Sequence, residues 1–170
     1  MKTAQKKTLI EGTKWKSEYE LTQSAASKNV DAQKDLVVLL MKRVRNICVF
    51  LAGKRDDPED LAQNTLIEIL KSAGSFRGES SLARWADRIA VHTSHKNVDK
   101  KIRREKLWSK HSHNIEPLEL CLDDMFVEKK IKMRLAVLLR TLPAQRRTAL
   151  VLHHVQGYSV NEVAQMTDTL

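Results

Sequence analysis

Apolar side chains recur at Leu36, Leu40, Val44, Ile47 and Leu51, a spacing that puts them on one face of a helix and on no face of a strand. The same period returns at Leu61, Ala62, Thr65, Leu66, Ile69 and Leu70, and again at Leu82, Trp85, Ala86, Ile89, Ala90 and Thr93. A last run carries it at Ile131, Leu135, Leu138, Leu139 and Leu142. Five glycines and three prolines in 170 residues leave little material for the tight turns of a sheet-rich fold. The fold class that follows is all-α.

Local signals set the boundaries. The first long helix is expected from about Asp31 to Ala52, with Gly53 as its stop. In "DDPEDLAQNTLIEILKSAG", Asp57 can cap, Pro58 suits the first helical position, and Glu59 and Asp60 favour the positive end of the helix dipole. The opposite side of that helix is polar, with Ile67 alone among Asp60, Gln63, Asn64 and Lys71. Such an isoleucine is either a scattered surface apolar or a small anchor with a polar rim, and spacing leaves both open. A loop, Gly74 to Ser81, precedes a long helix from about Ser81 to Glu105. Near the C-terminus, "PAQRRTALVLHHVQG" predicts a helix ending at Gly157. Ser159 and Glu162 then form a capping box at the start of another.

Charge is uneven along the chain. The formal net charge is +9. From Arg84 to Lys110 nine Lys or Arg face three Asp or Glu, whereas His111 to Glu128 holds five acidic residues and no Lys or Arg. A concentrated basic excess points to a polyanion rather than to solubility alone. On the long helix Arg84, Arg88, His92, His95 and Arg103 fall in one sector. The expected organisation is a leader over 1–22 that ends in a short helix, a helical module over 23–110, an acidic linker over 111–127 and a second helical module over 128–170. The linker, being anionic, could lie over the basic helix when nucleic acid is absent. The second module reads as an incomplete helix-turn-helix, because only "TDTL" follows Met166 where a recognition helix is expected.

Several classes are set aside. The N-terminus lacks the apolar core of a signal peptide, and no run is long enough to span a membrane, so a cytoplasmic protein without membrane contact is expected. Cys48 and Cys121 have no metal or redox spacing, and Cys48 reads as a core thiol. His153 and His154, as neighbours on a helix, should point apart, and His92 with His95 lacks a third ligand. No nucleophile–base pair, P-loop or nucleotide fingerprint is present, so no metal, cofactor or enzymatic chemistry is expected.

Two strings together carry a resemblance. "DDPEDLAQNTLIEILKSAGSFRGESSLARWADRIA" resembles region 2 of bacterial sigma factors of the extracytoplasmic-function group, and "LRTLPAQRRTALVLHHVQGYSVNEVAQM" resembles the first part of their region 4. The likeness covers roughly residues 24–166. It implies an alternative sigma factor that binds the clamp of the largest subunit of core RNA polymerase, opens promoter DNA at the minus-ten element and is not an enzyme. An anti-sigma factor is a further implied partner. By the resemblance, Asp57, Asp60, Leu61, Gln63, Asn64 and Ile67 are polymerase-binding. Phe76, Arg77, Glu79, Ser80, Arg84, Trp85, Arg88, His92, Lys96, Lys100 and Arg103 are DNA-binding in the first module, and Arg146, Arg147 and Ser159 in the second. A Gly-containing loop bearing Phe76 and Arg77 suits a base that has left the stack. Phe76 could equally plug the core between two helices. Two other classes stay open: a decoy that binds polymerase or an anti-sigma factor without initiating, and a generic basic DNA-binding protein.

Overall fold

A computed structural model describes residues 15–54, 56–107 and 127–167, with the backbone alone over 98–107 and 127–129. Those residues form seven α-helices and no strand: α1 (Glu18–Ala26), α2 (Val30–Leu51), α3 (Pro58–Ser72), α4 (Leu82–Leu107), α5 (Val127–Leu139), α6 (Ala144–Leu150) and α7 (Val160–Met166). A 3-10 turn, Ala73–Ser75, follows α3, and a π turn, Val151–Val155, continues α6. The acidic linker proper and Cys121 lie outside the described residues.

The period read from α2 is the one that is buried. Leu36, Leu40, Val44, Ile47 and Leu51 are all at or below 3% exposure, and α2 packs against α1, α3 and α4 as the central rod. Leu21 and Ala25 from α1, Leu61 and Ile69 from α3, and Leu82, Ala86, Ala90 and Val91 from α4 complete the core. Each fully buried leucine or isoleucine contributes about 2 kcal/mol by leaving water. Cys48 is buried among them, and burial pushes its thiol up to about 12, as befits an unreactive core residue.

Caps follow the sequence closely in α3 and α7. Asp57 accepts the Glu59 amide at 2.8 Å and Pro58 opens α3. Ser159 and Glu162 make the reciprocal capping box of α7. Gly157, at φ 76°, takes the left-handed turn between α6 and α7 that a residue with a Cβ adopts at a cost.

Three expectations need correction. The leader does not stop short of the first module: Trp15 and Leu21 are core residues, and the Trp15 indole donates to Asp35 at 2.7 Å. Apolar content in that segment is too sparse to show a period, so its burial is invisible without α2, α3 and the 3-10 turn beside it. On α5, Leu139 is buried as its spacing implies, but Ile131, Leu135 and Leu138 are exposed and Ala136 is buried beside Leu139. The helical period was right; which of two adjoining apolar faces meets a neighbour is a property of the packing. His153 and His154 do not diverge either. They lie in the π turn, whose extra residue per turn narrows the angle between neighbours, and their rings meet edge to face at 4.6 Å.

Candidate nucleic-acid interface

The loop between α3 and α4 is held at both ends by α1. Gln23 Nε2 donates to the Phe76 carbonyl at 3.2 Å, and the Leu82 amide, at the start of α4, donates to Glu18 Oε2 at 3.0 Å. A carboxylate far away in sequence thus satisfies an orphan amide of α4 and sits at the positive end of its dipole. Ser81 takes the Arg84 amide at 3.3 Å. Gly78 has φ 71° and lets the chain fold back over Tyr19, so the two serines and Glu79 stand out into solvent.

This geometry leaves a pocket of about 360 Å³ between the loop and α4. Phe76 forms its floor. The ring is 3% exposed and meets Trp85 edge to face at 5.5 Å, so Phe76 is a core plug and a pocket wall at once. Arg77, Glu79 and Ser80 line the loop side; Trp85, Arg88 and His92 line the helix side. Arg88 Nε lies 3.4 Å from His92 Nε2, one turn on. Aromatic walls, two guanidinium groups and small hydroxyls can stack a base and bind its edge or phosphate. Lys96 continues the basic face as an exposed cation further along α4. Lys100 and Arg103 are on α4, but their side chains lie outside the described residues.

The helix before the loop offers a different surface. Asp57, Asp60, Gln63, Asn64 and Ile67 are exposed, and Ile67 retains 48% of its accessible surface among polar neighbours. Leu61, grouped with them in the sequence, is 2% exposed and belongs to the core, so it cannot face a partner. Arg45 clamps Glu59 through a pair at 2.6 Å, fixing the first turn of α3 against α2.

Residues of the last helices are divided between fold and surface. Arg146 is exposed, whereas Arg147 is 3% exposed. The Arg147 guanidinium donates to the Leu51 carbonyl at 3.0 Å, at the end of α2, and to the Leu142 carbonyl at 2.9 Å, in the turn between α5 and α6. Burial pulls its pKa down and Asp56 opposes that. Ser159 caps α7. Arg84, read as a DNA contact, is paired with Glu162 of α7 at 2.5 Å.

Sequence reasoning missed Glu18, Gln23, Ser72 and Ser75. The last two line the pocket, and the first two position the loop. Only the Ser-Glu spacing at the start of α1 hinted at an ordered helix there, with Ser17 accepting the Glu20 amide at 3.1 Å.

Two family models match the chain: "Sigma-70 region 2" over residues 36–104 and "Sigma-70, region 4" over residues 132–169. Among curated proteins, the ECF RNA polymerase sigma-E factor of Haemophilus influenzae is 26% identical over 161 residues, 88% of this chain and 85% of that one. The ECF RNA polymerase sigma factor SigM of Mycobacterium tuberculosis is 30% identical over 113 residues, 65% of this chain and about half, 53%, of SigM. Two solved structures share the fold. CnrH, solved in complex with the cytosolic domain of CnrY, has a TM-score of 0.54 and 18% identity over 89% of this chain and 82% of that one. The sigma factor RpoE, solved with the anti-sigma factor NepR from Bartonella quintana, has a TM-score of 0.56 and 23% identity over 81% and 83%.

Proposed function

The chain belongs to the sigma-70 family, in its extracytoplasmic-function group, and from that premise we propose that it is an alternative sigma factor that binds core RNA polymerase and opens promoter DNA at the minus-ten element. It works without catalytic chemistry of its own. The pocket between the α3–α4 loop and α4 carries this reading. Its size, its Phe76 and Trp85 walls and its Arg77 and Arg88 cations suit one extruded base with its phosphate. Extruding a base costs a few kcal/mol, and a preformed receptacle offsets that cost. Arg88 and Lys96 track the backbone without reading sequence.

The exposed side of α3 is the polymerase-binding surface in this proposal, with Asp60, Gln63 and Asn64 as the rim and Ile67 as the anchor; its target is the clamp of the largest subunit. An anti-sigma factor is a further partner by analogy with RpoE, solved with the anti-sigma factor NepR. No described helix is long and apolar enough to cross a membrane.

Pull-down of core RNA polymerase by the wild-type chain and by an Asp60→Ala, Gln63→Ala variant, followed by run-off transcription, tests the proposal. Capture and transcripts by the wild type, with both reduced in the variant, are expected. Capture without transcripts would favour a decoy, and no capture would reject the reading.

A further inference from the structure

The second module packs on α2 through α5, α6 and the π turn, and it meets α4 at three heights through polar groups. Near the N-terminus of α4, Arg84 pairs with Glu162 at 2.5 Å and its guanidinium sits 5.6 Å from the centre of the Tyr158 ring. One turn further, the Tyr158 hydroxyl donates to buried Asp87 at 2.7 Å, and Arg43, which holds Asp87, also reaches Gln156 at 3.3 Å. Further on, His95 Nε2 lies 3.0 Å from Thr148 Oγ1. Arg84 adjoins Trp85 and is one turn from Arg88, both in the wall of the pocket.

We propose that Tyr158 and Glu162 form a latch that holds the second module on α4 and withdraws Arg84 from nucleic acid, so that a DNA strand must displace Glu162 to reach this cation. The inference rests on the DNA-binding reading of α4. Glu162 is suited to the part because its two oxygens have separate partners. Oε2 accepts from the Ser159 amide and hydroxyl at 2.9 Å, while Oε1 faces Arg84. The carboxylate is therefore pre-oriented by its own helix and presents a fixed negative charge where a phosphate would sit. The contacts of Arg84 and Tyr158 with the second module are exchangeable, since each group released finds water or phosphate, while Arg147 and the apolar residues on α2 keep the module attached. A chain held closed in this way binds DNA in proportion to its open fraction.

Glu162→Gln is the informative substitution, because glutamine still serves a capping box while the charge facing Arg84 is gone. Tyr158→Phe changes no charge and removes the bond to Asp87 together with the 3.4 Å contact from Arg43. Binding of the full-length chain to a fluorescein-labelled single-stranded DNA, measured by anisotropy at constant salt, is expected to tighten about fivefold in each variant. In an Arg84→Ala background Glu162→Gln should give no gain. Small-angle scattering of the Tyr158→Phe, Glu162→Gln double variant should show a larger radius of gyration than the wild type. An unchanged radius overturns the latch, as does tightening by Glu162→Gln alone, which would be bulk charge. Should no version bind DNA, the DNA reading of α4 fails, and scattering still decides whether the latch exists.

Discussion

Asp87 is 1% exposed and takes the Arg43 guanidinium in a two-point grip, Nε to Oδ1 at 2.9 Å and Nη2 to Oδ2 at 2.6 Å. The pair joins the middle of α2 to α4, and hydrogen bonding to Asp87 raises the Arg43 pKa above its ordinary value. Asp87→Ala removes the carboxylate that accepts from both Arg43 and Tyr158. The Arg43 side chain keeps 36% exposure and can be rehydrated, so the loss is about 1.5 kcal/mol. Urea unfolding should show a lower midpoint with an unchanged slope.

Tyr158 carries a pH dependence. Burial first, then its hydrogen bond to Asp87, raises its pKa from 10.0 to about 12. The folded state therefore holds the phenolic proton more tightly than the unfolded chain does. Its stabilising contribution is complete below about pH 10 and is lost as the pH climbs through about 12. Tyrosinate absorbance should show a phase near pH 12 that Tyr158→Phe abolishes.

Arg146 and Arg147 are adjacent and look alike as DNA contacts, but only one is exposed. Arg147→Met removes the donor of the Leu142 carbonyl and leaves the Leu51 carbonyl only the Ser94 hydroxyl at 3.4 Å, and should cost about 2 kcal/mol. Arg146→Ala should change stability by less than about 0.5 kcal/mol. Thermal unfolding of the two variants side by side separates a structural arginine from a surface one.

Those two arginines show where reading by sequence ran out. Leu36, Leu40, Val44, Ile47 and Leu51 were legible because one helix period decides their burial. Asp57 and the Ser159–Glu162 box were legible because a cap is a local hydrogen bond. Glu18 at the start of α4, Gln23 on the loop and Arg147 at the end of α2 were not. Each satisfies a backbone group remote in sequence, and no periodicity encodes that pairing. The exposed Ile131, Leu135 and Leu138 fail for the same reason, since their neighbours are set by how α5 meets α2. The pocket loop was visible as Phe76, Arg77, Glu79 and Ser80, while Ser72 at the end of α3 and Ser75 in the 3-10 turn join the lining only through the path the chain takes there.

Phe76 and Arg77 are neighbours with separable roles, and this gives the sharpest test of the pocket. The Phe76 ring is buried against Trp85, so Phe76→Ala opens a cavity and should cost about 3 kcal/mol of stability. Arg77 is exposed at the pocket rim. Arg77→Ala should leave the unfolding midpoint within experimental error yet weaken single-stranded DNA binding about tenfold, the loss of one charge-assisted contact. Phe76→Leu keeps most of the buried volume while removing the ring, so it distinguishes packing from stacking. If base stacking on the ring edge matters, Phe76→Leu loses DNA affinity at nearly native stability. If Phe76 only plugs the core, Phe76→Leu binds like the wild type, and the receptacle must be formed by Trp85, Arg77 and Arg88 alone. Equilibrium unfolding and DNA titration on the same preparations decide between the two.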